Sequence, residues 1–127
     1  MDLEDYRLFI CSGLQSAIRV PFLPVSLGAW QPGIASCHRN VDRWIQENPG
    51  HTAVRGWVTV GTDGGTRTLL THHSVVRGED GRLFDITPLE REAVRAGMRF
   101  IPHNGSEADF FRITDLLQPF LDCDASL

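Results

Sequence analysis

Apolar residues recur at helical spacing near the start of the chain and again after residue 35. The first such stretch covers residues 3–18. The second runs from Ser36 to Asn48, with apolar positions at i, i+4, i+7 and i+8: Cys37, Val41, Trp44 and Ile45. Pro21 and Pro24 follow the first stretch and predict an extended connector through residue 33. We therefore expect two helices, with Cys37 in the first turn of the second helix and facing inward.

Strand-like segments follow in the middle of the chain. The segments "AVRGWVTVG" (53–61) and "RTLLTHHSVVR" (67–77) predict two strands joined by a turn at "DGG". A second turn, "GEDG" (78–81), leads into a third strand, "RLFDIT" (82–87). Turns this short join antiparallel neighbours.

Three further elements complete the pattern. Thr87-Pro88-Leu89-Glu90 has the form of a capping box with proline at the first helical position, which predicts a helix from residue 88. "MRFI" predicts a short strand, and Ser106 predicts the start of a last helix with this apolar stripe: Phe110, Ile113, Leu116 and Leu117. The order helix, helix, three strands, helix, strand, helix predicts an α+β fold with helices packed on an antiparallel sheet.

Length and charge narrow the class of protein. The chain has 127 residues, which is one domain of ordinary size, so we expect a single domain over residues 1–127. Twelve basic residues against sixteen acidic ones give a net charge of −4, and the basic residues are scattered. The protein therefore has no overall positive electrostatic potential that would attract nucleic acid or an anionic membrane, and we expect neither as a partner.

The start of the chain and the cysteines bear on location. "MDLEDYRLFICSGLQSAIRV" lacks the basic start and the uninterrupted apolar region of a signal peptide, and no apolar run approaches the roughly 20 residues of a membrane span. We therefore expect a cytoplasmic protein. Three cysteines are an odd number, which argues against a disulfide framework and leaves at least one thiol free.

Cys37, His73 and Asp85 are candidates for a catalytic cysteine site. Such a site needs a thiol of lowered pKa, a base within hydrogen-bond reach, and a third group that orients the base. The first turn of a helix favours an anion, which contributes to the first requirement. A histidine and a carboxylate on neighbouring strands would supply the other two.

The turn at "GEDG" tests this arrangement. The segment suits a type I turn in which Gly81 takes a left-handed conformation as a bulge. Residue 78 then opposes residue 82, and residue 75 opposes residue 85. In that register His73 and Asp85 project from one face, a diagonal step apart, while His72 points to the other face. A two-residue turn would reverse the pairing and bring Asp85 to the face of His72.

Each residue also has a simpler interpretation. A cysteine on an apolar helix face is more often a core residue, and a histidine in a strand is more often a satisfied polar group. An aspartate before Thr-Pro is commonly a turn residue. The chain order and the shared face together favour the catalytic hypothesis over any single signal.

The segment "HSVVRGEDGRLFDITP" is similar to the signature of the transglutaminase-like superfamily, in which a His-bearing strand leads through a Gly turn to a strand that ends in aspartate. "CHRNVDRW" resembles the cysteine-bearing helix of that superfamily, and "RGWVTV" resembles the strand between them. In the wider papain-like superfamily a glutamine stands six residues before the cysteine, as Gln31 stands before Cys37. The resemblance covers residues 30–88 and implies a small papain-like core.

The resemblance also implies roles for these residues. Cys37 is the expected nucleophile, His73 the general base and acid, and Asp85 the group that orients the histidine. Gln31 and the backbone N–H of Cys37 are expected to stabilise the oxyanion. The substrate is then a peptide, amide or ester, and no cofactor or metal is needed. Further candidates could line a substrate pocket: Asn40, Trp30 and Trp57. For Asn40 a buried structural amide is the alternative, and for Trp57 core packing.

Two other functions remain open on the sequence. Cys37, His72, His73 and His103 are potential zinc ligands, but they lack the spacings CxxC, HxxxH or HExxH. The same fold could also serve as a binding module without catalysis. His38 follows Cys37 directly, and the 100° turn between neighbouring helical residues predicts that the two side chains diverge.

Overall fold

The computed structural model describes residues 2–62 and 64–124. The elements are α1 (Leu3–Ser12), α2 (Cys37–Glu47), β1 (Thr52–Thr62), β2 (Arg67–Arg77), β3 (Leu83–Phe84), β4 (Phe100–Pro102), α3 (Glu107–Leu116) and β5 (Leu121–Asp124), with 3₁₀ helices at Leu14–Ser16 and Glu92–Gly97. The sheet has the strand order β3-β2-β1-β4, and β5 pairs with β2. The pairs β1–β4, β2–β3 and β2–β5 are antiparallel. The predicted α+β fold with an antiparallel sheet is confirmed.

The chain groups into two compact units, each assembled from separate stretches. The first unit lies within Met1–Arg19, Arg55–His72 and Gly97–Leu127, and the second consists of Val20–Val54 and His73–Ala96. Strands β1 and β2 therefore contribute residues to both units. The single domain expected over residues 1–127 stays a prediction beside this grouping.

The first unit has a core of aromatic and aliphatic side chains from α1, α3 and the adjoining strands. Trp57 has no exposed surface, and its indole N–H donates to the hydroxyl of Tyr6 at 2.9 Å. In the same core Cys11 and Cys123 form a disulfide, with their Cα atoms 5.5 Å apart. The expectation against a disulfide was wrong, because two cysteines 112 residues apart give no local signal of their pairing. The expected free thiol is confirmed as Cys37.

The second unit packs α2 on the sheet through Val41. This side chain is fully buried and clusters with Val76 of β2 and with Ile86, which follows β3. Partly buried residues surround the cluster: Val25, Trp44, Ile45, Ala53 and Phe84. The predicted helical stripe therefore faces the sheet, and this packing holds the start of α2 against β2.

Some elements differ from the sequence prediction, among them β3, which spans Leu83–Phe84 rather than residues 82–87. The first helix ends at Ser12 because Gly13 serves as its C-cap. No α-helix begins at residue 88, because Thr87 does not act as an N-cap: its hydroxyl accepts a hydrogen bond from Asn40, and a 3₁₀ helix forms at Glu92–Gly97 instead. Strand β5 was not predicted. In the turn predicted at "DGG", Asp63 lies outside the described residues.

The last predicted helix and the long strand β2 are confirmed. Ser106 is the N-cap of α3, and its side chain accepts a hydrogen bond from the N–H of Asp109. β2 begins and ends at the predicted residues, Arg67 and Arg77. Within residues 2–62 and 64–124, no helix is long and apolar enough to cross a membrane.

A candidate cysteine active site

The turn between β2 and β3 sets the pairing of the candidate catalytic residues. Gly81 has φ +82°, and the N–H of Gly78 donates to the carbonyl of Arg82 at 2.9 Å. Val76 is therefore paired with Phe84. This is the register predicted from the left-handed glycine, and it brings His73 and Asp85 to one face of the hairpin.

His73 and Asp85 are joined directly in the second unit. Nε2 of His73 lies 2.7 Å from Oδ2 of Asp85, and both side chains are buried. His72 instead packs its ring edge-on against Trp57 in the first unit, with ring centroids 6.3 Å apart. The predicted alternation of the two histidines is thus what the structure shows.

Asp85 is held by further hydrogen bonds besides the contact with His73. Its Oδ1 accepts from the N–H of Thr87 at 3.0 Å, and its Oδ2 accepts from Nη1 of Arg95 at 2.8 Å. The backbone N–H of Asp85 donates to the carbonyl of Pro21 at 2.8 Å. A carboxylate that is only 3% exposed would be costly without such donors.

Arg95 was missed by the sequence analysis. It stands ten residues after Asp85 in the 3₁₀ helix Glu92–Gly97, where no periodic pattern points to a buried partner. Its Nη2 also donates to the carbonyl of Thr87 at 2.9 Å, and its guanidinium lies 4.5 Å from the ring centroid of Phe22. Arg95 therefore fixes both the carboxylate and the chain that follows it.

Cys37 is the first residue of α2, and its thiol lies beside two histidines. Ser36 makes no side-chain cap for the helix, so the amides of the first turn are not satisfied by it. Burial alone would raise the pKa of the Cys37 thiol. Hydrogen bonds and charge from His38 and His73 outweigh burial and lower this pKa to about 6.

The pKa of His73 moves in the opposite direction. Burial disfavours the protonated ring, but the hydrogen bonds with Asp85 and Cys37 and the charges of both raise the pKa of His73 to about 9. Since Nε2 faces Asp85, Nδ1 is the nitrogen available to the sulfur. The lowered pKa of Cys37 and the raised pKa of His73 both favour the thiolate–imidazolium form of the pair near neutral pH, because each charge stabilises the other.

His38 does not point away from Cys37, and that prediction was wrong. Its Nδ1 lies 3.8 Å from Sγ of Cys37 and 2.5 Å from the hydroxyl oxygen of Ser74. The 100° rotation between helical neighbours describes the Cβ directions only. The buried hydroxyl on β2 supplies a hydrogen-bond partner that turns the His38 ring back toward the sulfur.

Asn40 ties the segment before α2 to the chain after β3. Its side-chain oxygen accepts from the N–H of Gly33 at 3.1 Å, while its Nδ2 donates to the carbonyl of Gly33 at 2.8 Å and to the hydroxyl of Thr87 at 2.9 Å. Asn40 is 3% exposed, which supports the structural interpretation of this amide rather than a substrate contact.

The backbone just before Cys37 is strained. Ala35 has φ +61°, in the left-handed region that costs a residue with a Cβ about 1–2 kcal/mol. Such strain persists only where the surrounding contacts impose it, and it is frequent next to active sites. Here the paired bonds of Asn40 to Gly33 anchor the segment two residues upstream.

The other expected site residues lie in different surroundings. Gln31 is exposed on the segment before α2, and its oxyanion role stays a prediction. Trp30 is partly buried, with the guanidinium of Arg43 5.7 Å from its ring centroid. Trp57 cannot line a substrate pocket as it stands, because it has no exposed surface in the core of the first unit.

The potential zinc ligands are not gathered together. His103 hydrogen-bonds the hydroxyl of Tyr6 in the first unit, at 2.7 Å from Nδ1 to oxygen, and His72 packs on Trp57. Cys37 and His73 belong to the second unit. The part of the chain that the structure describes contains no group of three or more histidine, cysteine, aspartate or glutamate side chains arranged to hold a metal ion.

The comparisons with known proteins leave the site as the main source of functional information. The chain matches no protein-family model, no curated protein and no solved structure. The transglutaminase-like resemblance therefore rests on the sequence motif, and the functional argument rests on the geometry of Cys37, His73 and Asp85.

Proposed function

We propose that this protein is a cysteine-nucleophile acyl-transfer enzyme of the peptidase, amidase, deamidase or transglutaminase type. The observation that carries the proposal is the buried 2.7 Å contact between His73 and Asp85, with the Cys37 thiol of lowered pKa paired to the same histidine. A cysteine that served only as core packing would not be expected to pair with a protonated histidine, and burial alone would raise its pKa rather than lower it.

The proposed reaction begins with attack of the Cys37 thiolate on the carbonyl carbon of a peptide, amide or ester. A carbon–sulfur bond forms, and the carbonyl electron pair moves to the oxygen. The His73 imidazolium then donates its proton to the leaving nitrogen or oxygen as the bond to carbon breaks, which leaves a thioester. Water or an amine attacks the thioester, His73 accepts the proton of the attacking group, and the thiolate leaves.

Asp85 serves this cycle by holding the ring of His73. Its contact with Nε2 keeps Nδ1 directed at the sulfur and stabilises the imidazolium. Arg95 and Thr87 donate to the same carboxylate, so its orientation does not depend on His73 alone. Arg95 is therefore proposed as a positioning residue.

The oxyanion of the tetrahedral intermediate requires donors near the start of α2. The backbone N–H of Cys37 is in the uncapped first turn, where the helix dipole favours negative charge. Gln31 precedes it on an exposed segment and is proposed as the second donor. Its side chain would have to turn toward the substrate carbonyl when substrate binds.

The test is the pH dependence of Cys37 alkylation by iodoacetamide. Cys37 is the free cysteine, so without reductant the reagent reports on one site. We expect an apparent pKa near 6, well below the roughly 8.5 of a free thiol, and a rise in His73→Ala and in Asp85→Ala. A matched control is Glu90→Gln, an exposed side chain of the same unit.

An ordinary thiol pKa, or reaction of Cys37 only after unfolding, would overturn the proposal and favour the binding module that lacks catalysis. If the expected profile is found, screening with activated esters and amides in the presence and absence of added amine would separate hydrolysis from transfer. The readout is the ratio of free acid to amide product.

The cellular location is a separate proposal. The sequence predicts a cytoplasmic protein, but the disulfide between Cys11 and Cys123 is of a kind that persists in oxidising compartments. Thiol counting in denaturant, which exposes the buried Cys11 and Cys123, on protein isolated from a reducing cytoplasm shows whether the disulfide persists in that compartment. One reactive thiol supports the disulfide as a resident feature, and three support the cytoplasmic prediction with the cysteines reduced.

A further inference from the structure

We propose that His38, oriented by Ser74, is a second catalytic histidine that holds the Cys37 thiolate. This inference rests on the proposed function and deepens it. Two dipeptides meet at the site: Cys37-His38 at the start of α2, and His73-Ser74 in β2. Each contributes one group to the nucleophile–base pair and one group to a second pair, between His38 and Ser74.

The distances define the second pair. Nδ1 of His38 is 2.5 Å from the hydroxyl oxygen of Ser74 and 3.8 Å from Sγ of Cys37. One ring nitrogen therefore faces both atoms. A serine that is fully buried on a strand provides a fixed anchor for the ring, because neither the strand nor the side chain can move freely.

The charge on the sulfur decides which partner carries the proton. A thiolate beside Nδ1 favours the tautomer in which this nitrogen bears hydrogen, since the positive end of the N–H then faces the negative sulfur. The hydroxyl oxygen of Ser74 accepts the same N–H. The hydrogen bond from His38 contributes to the lowered pKa of Cys37 together with His73.

The two histidines have different tasks. His73 is coupled to Asp85 and transfers protons to and from the substrate. His38 has a hydroxyl as its partner and remains beside the sulfur throughout. When the thioester forms, the sulfur loses its negative charge. When water or an amine expels it, the carbon–sulfur bond breaks and the electron pair returns to sulfur, so that His38 stabilises the leaving thiolate.

The titratable and charged groups around the sulfur determine the pKa of Cys37 that a pH titration measures. Two titratable groups face the sulfur of Cys37: His38 from α2 and His73 from β2. His73 is in turn hydrogen-bonded to Asp85, which follows β3. Arg95 reaches this set through Asp85. A change confined to His38 or Ser74 leaves the His73–Asp85–Arg95 chain intact.

The experiment measures the apparent pKa of Cys37 by iodoacetamide alkylation in His38→Ala, His38→Asn and Ser74→Ala. We expect His38→Ala to raise this pKa by about one to two pH units, the effect of losing one hydrogen bond to a charged group. Ser74→Ala should give a smaller rise. His38→Asn, whose Nδ2 can stand near the place of Nδ1, should restore part of the shift.

The double variant His38→Ala/Ser74→Ala separates this role from general damage. Because Ser74 acts through His38, the pKa should not rise further than in His38→Ala alone. Gln46→Ala, an exposed side chain on the same helix, is the matched control and should match the wild type. Circular dichroism confirms folding, and Ser74→Ala, which removes one oxygen atom, serves as the test if His38→Ala does not fold.

The outcomes distinguish this inference from the proposed function. A low pKa in the wild type that rises in His73→Ala but is unchanged in all His38 and Ser74 variants overturns the role of His38 and leaves the proposed function standing. An ordinary thiol pKa in the wild type overturns both. A rise in His38→Ala that His38→Asn partly reverses supports the second histidine.

Discussion

Replacement of Asp85 by asparagine tests the electrostatic argument at its centre. The amide keeps the size of the carboxylate, and its oxygen can still accept from the N–H of Thr87. Oδ2 is different, because it accepts from both His73 and Arg95. In Asp85→Asn this position becomes an NH₂ group, which places a donor against two donors in a buried site.

The size of the effect follows from the pKa of His73. Burial lowers it, but Asp85 and Cys37 together raise it from 6.5 to about 9, which corresponds to roughly 3 kcal/mol of preference for the protonated ring. Loss of the carboxylate removes the largest favourable contribution. The imidazolium is then lost near neutral pH, and the thiolate of Cys37 loses its partner charge. We expect the apparent pKa of Cys37 to rise from about 6 toward its ordinary value.

The effect on stability has a definite sign. A histidine whose pKa is higher in the folded state contributes stability below its unfolded pKa of 6.5, and this contribution is lost as the pH rises through about 9. The destabilisation by Asp85→Asn should therefore be largest at pH 6.5 and shrink toward pH 9. The part that remains reports the lost ion pair with Arg95.

Two assays together measure these effects. Urea unfolding at several pH values gives the free energy of unfolding, and iodoacetamide alkylation gives the pKa of Cys37. Glu90→Gln again controls for the loss of one negative charge in the same unit. An alkylation profile for Asp85→Asn that coincides with the wild type would refute the reasoning, because the thiolate would then not depend on the protonated histidine.

Three further substitutions have expected outcomes. Asn40→Ala removes the hydrogen bonds that hold the segment before α2 and should lower the free energy of unfolding by about 2–3 kcal/mol in urea, while Gln46→Ala, an exposed neighbour, should change it little. A small effect of Asn40→Ala would show that the hydrogen bonds of Asn40 to Gly33 and Thr87 do not constrain the site. Gly81→Ala should cost about 1–2 kcal/mol because of the positive φ, and equal stability would argue against the left-handed turn. Changing Cys11 and Cys123 to serine should lower the free energy of unfolding by about 4 kcal/mol, measured by thermal or chemical unfolding, but leave Cys37 alkylation unchanged. An altered alkylation rate would contradict the independence of the disulfide and the Cys37 site.

Local chemistry made the hairpin predictable. A glycine in the left-handed region determines the length of the turn, and the length of the turn determines which residues face each other. The contact between His73 and Asp85 could therefore be inferred from the segment "GEDG" alone. The bounds of β2 were equally clear, because β-branched residues and turn signals delimit it.

Contacts distant in sequence were not predictable. Strand β5 forms by pairing with β2, which lies more than fifty residues earlier in the chain. The disulfide likewise depends on contact between α1 and β5, at opposite ends of the sequence. Arg95 gave no signal, because an arginine in a short polar helix is usually solvated. The helix expected at residue 88 failed for a related reason: Asn40 engages the hydroxyl of Thr87 that would have capped it.

The error on His38 has a more general cause. Helical geometry gives the direction in which a side chain leaves the backbone, and a long side chain then follows its strongest available partner. The partner of His38 is Ser74, which lies on another element and 36 residues along the chain. Such a pairing becomes visible only when α2 and β2 are placed together.

The disulfide between Cys11 and Cys123 has a consequence for limited proteolysis. These residues bracket 111 intervening residues, so the bond closes most of the chain into one covalent ring. A single cut at any exposed position between them, for example near Gly64 and Gly65, opens the ring without releasing a fragment. The nicked protein keeps its full mass on a gel without reductant and separates into two pieces when reductant is added.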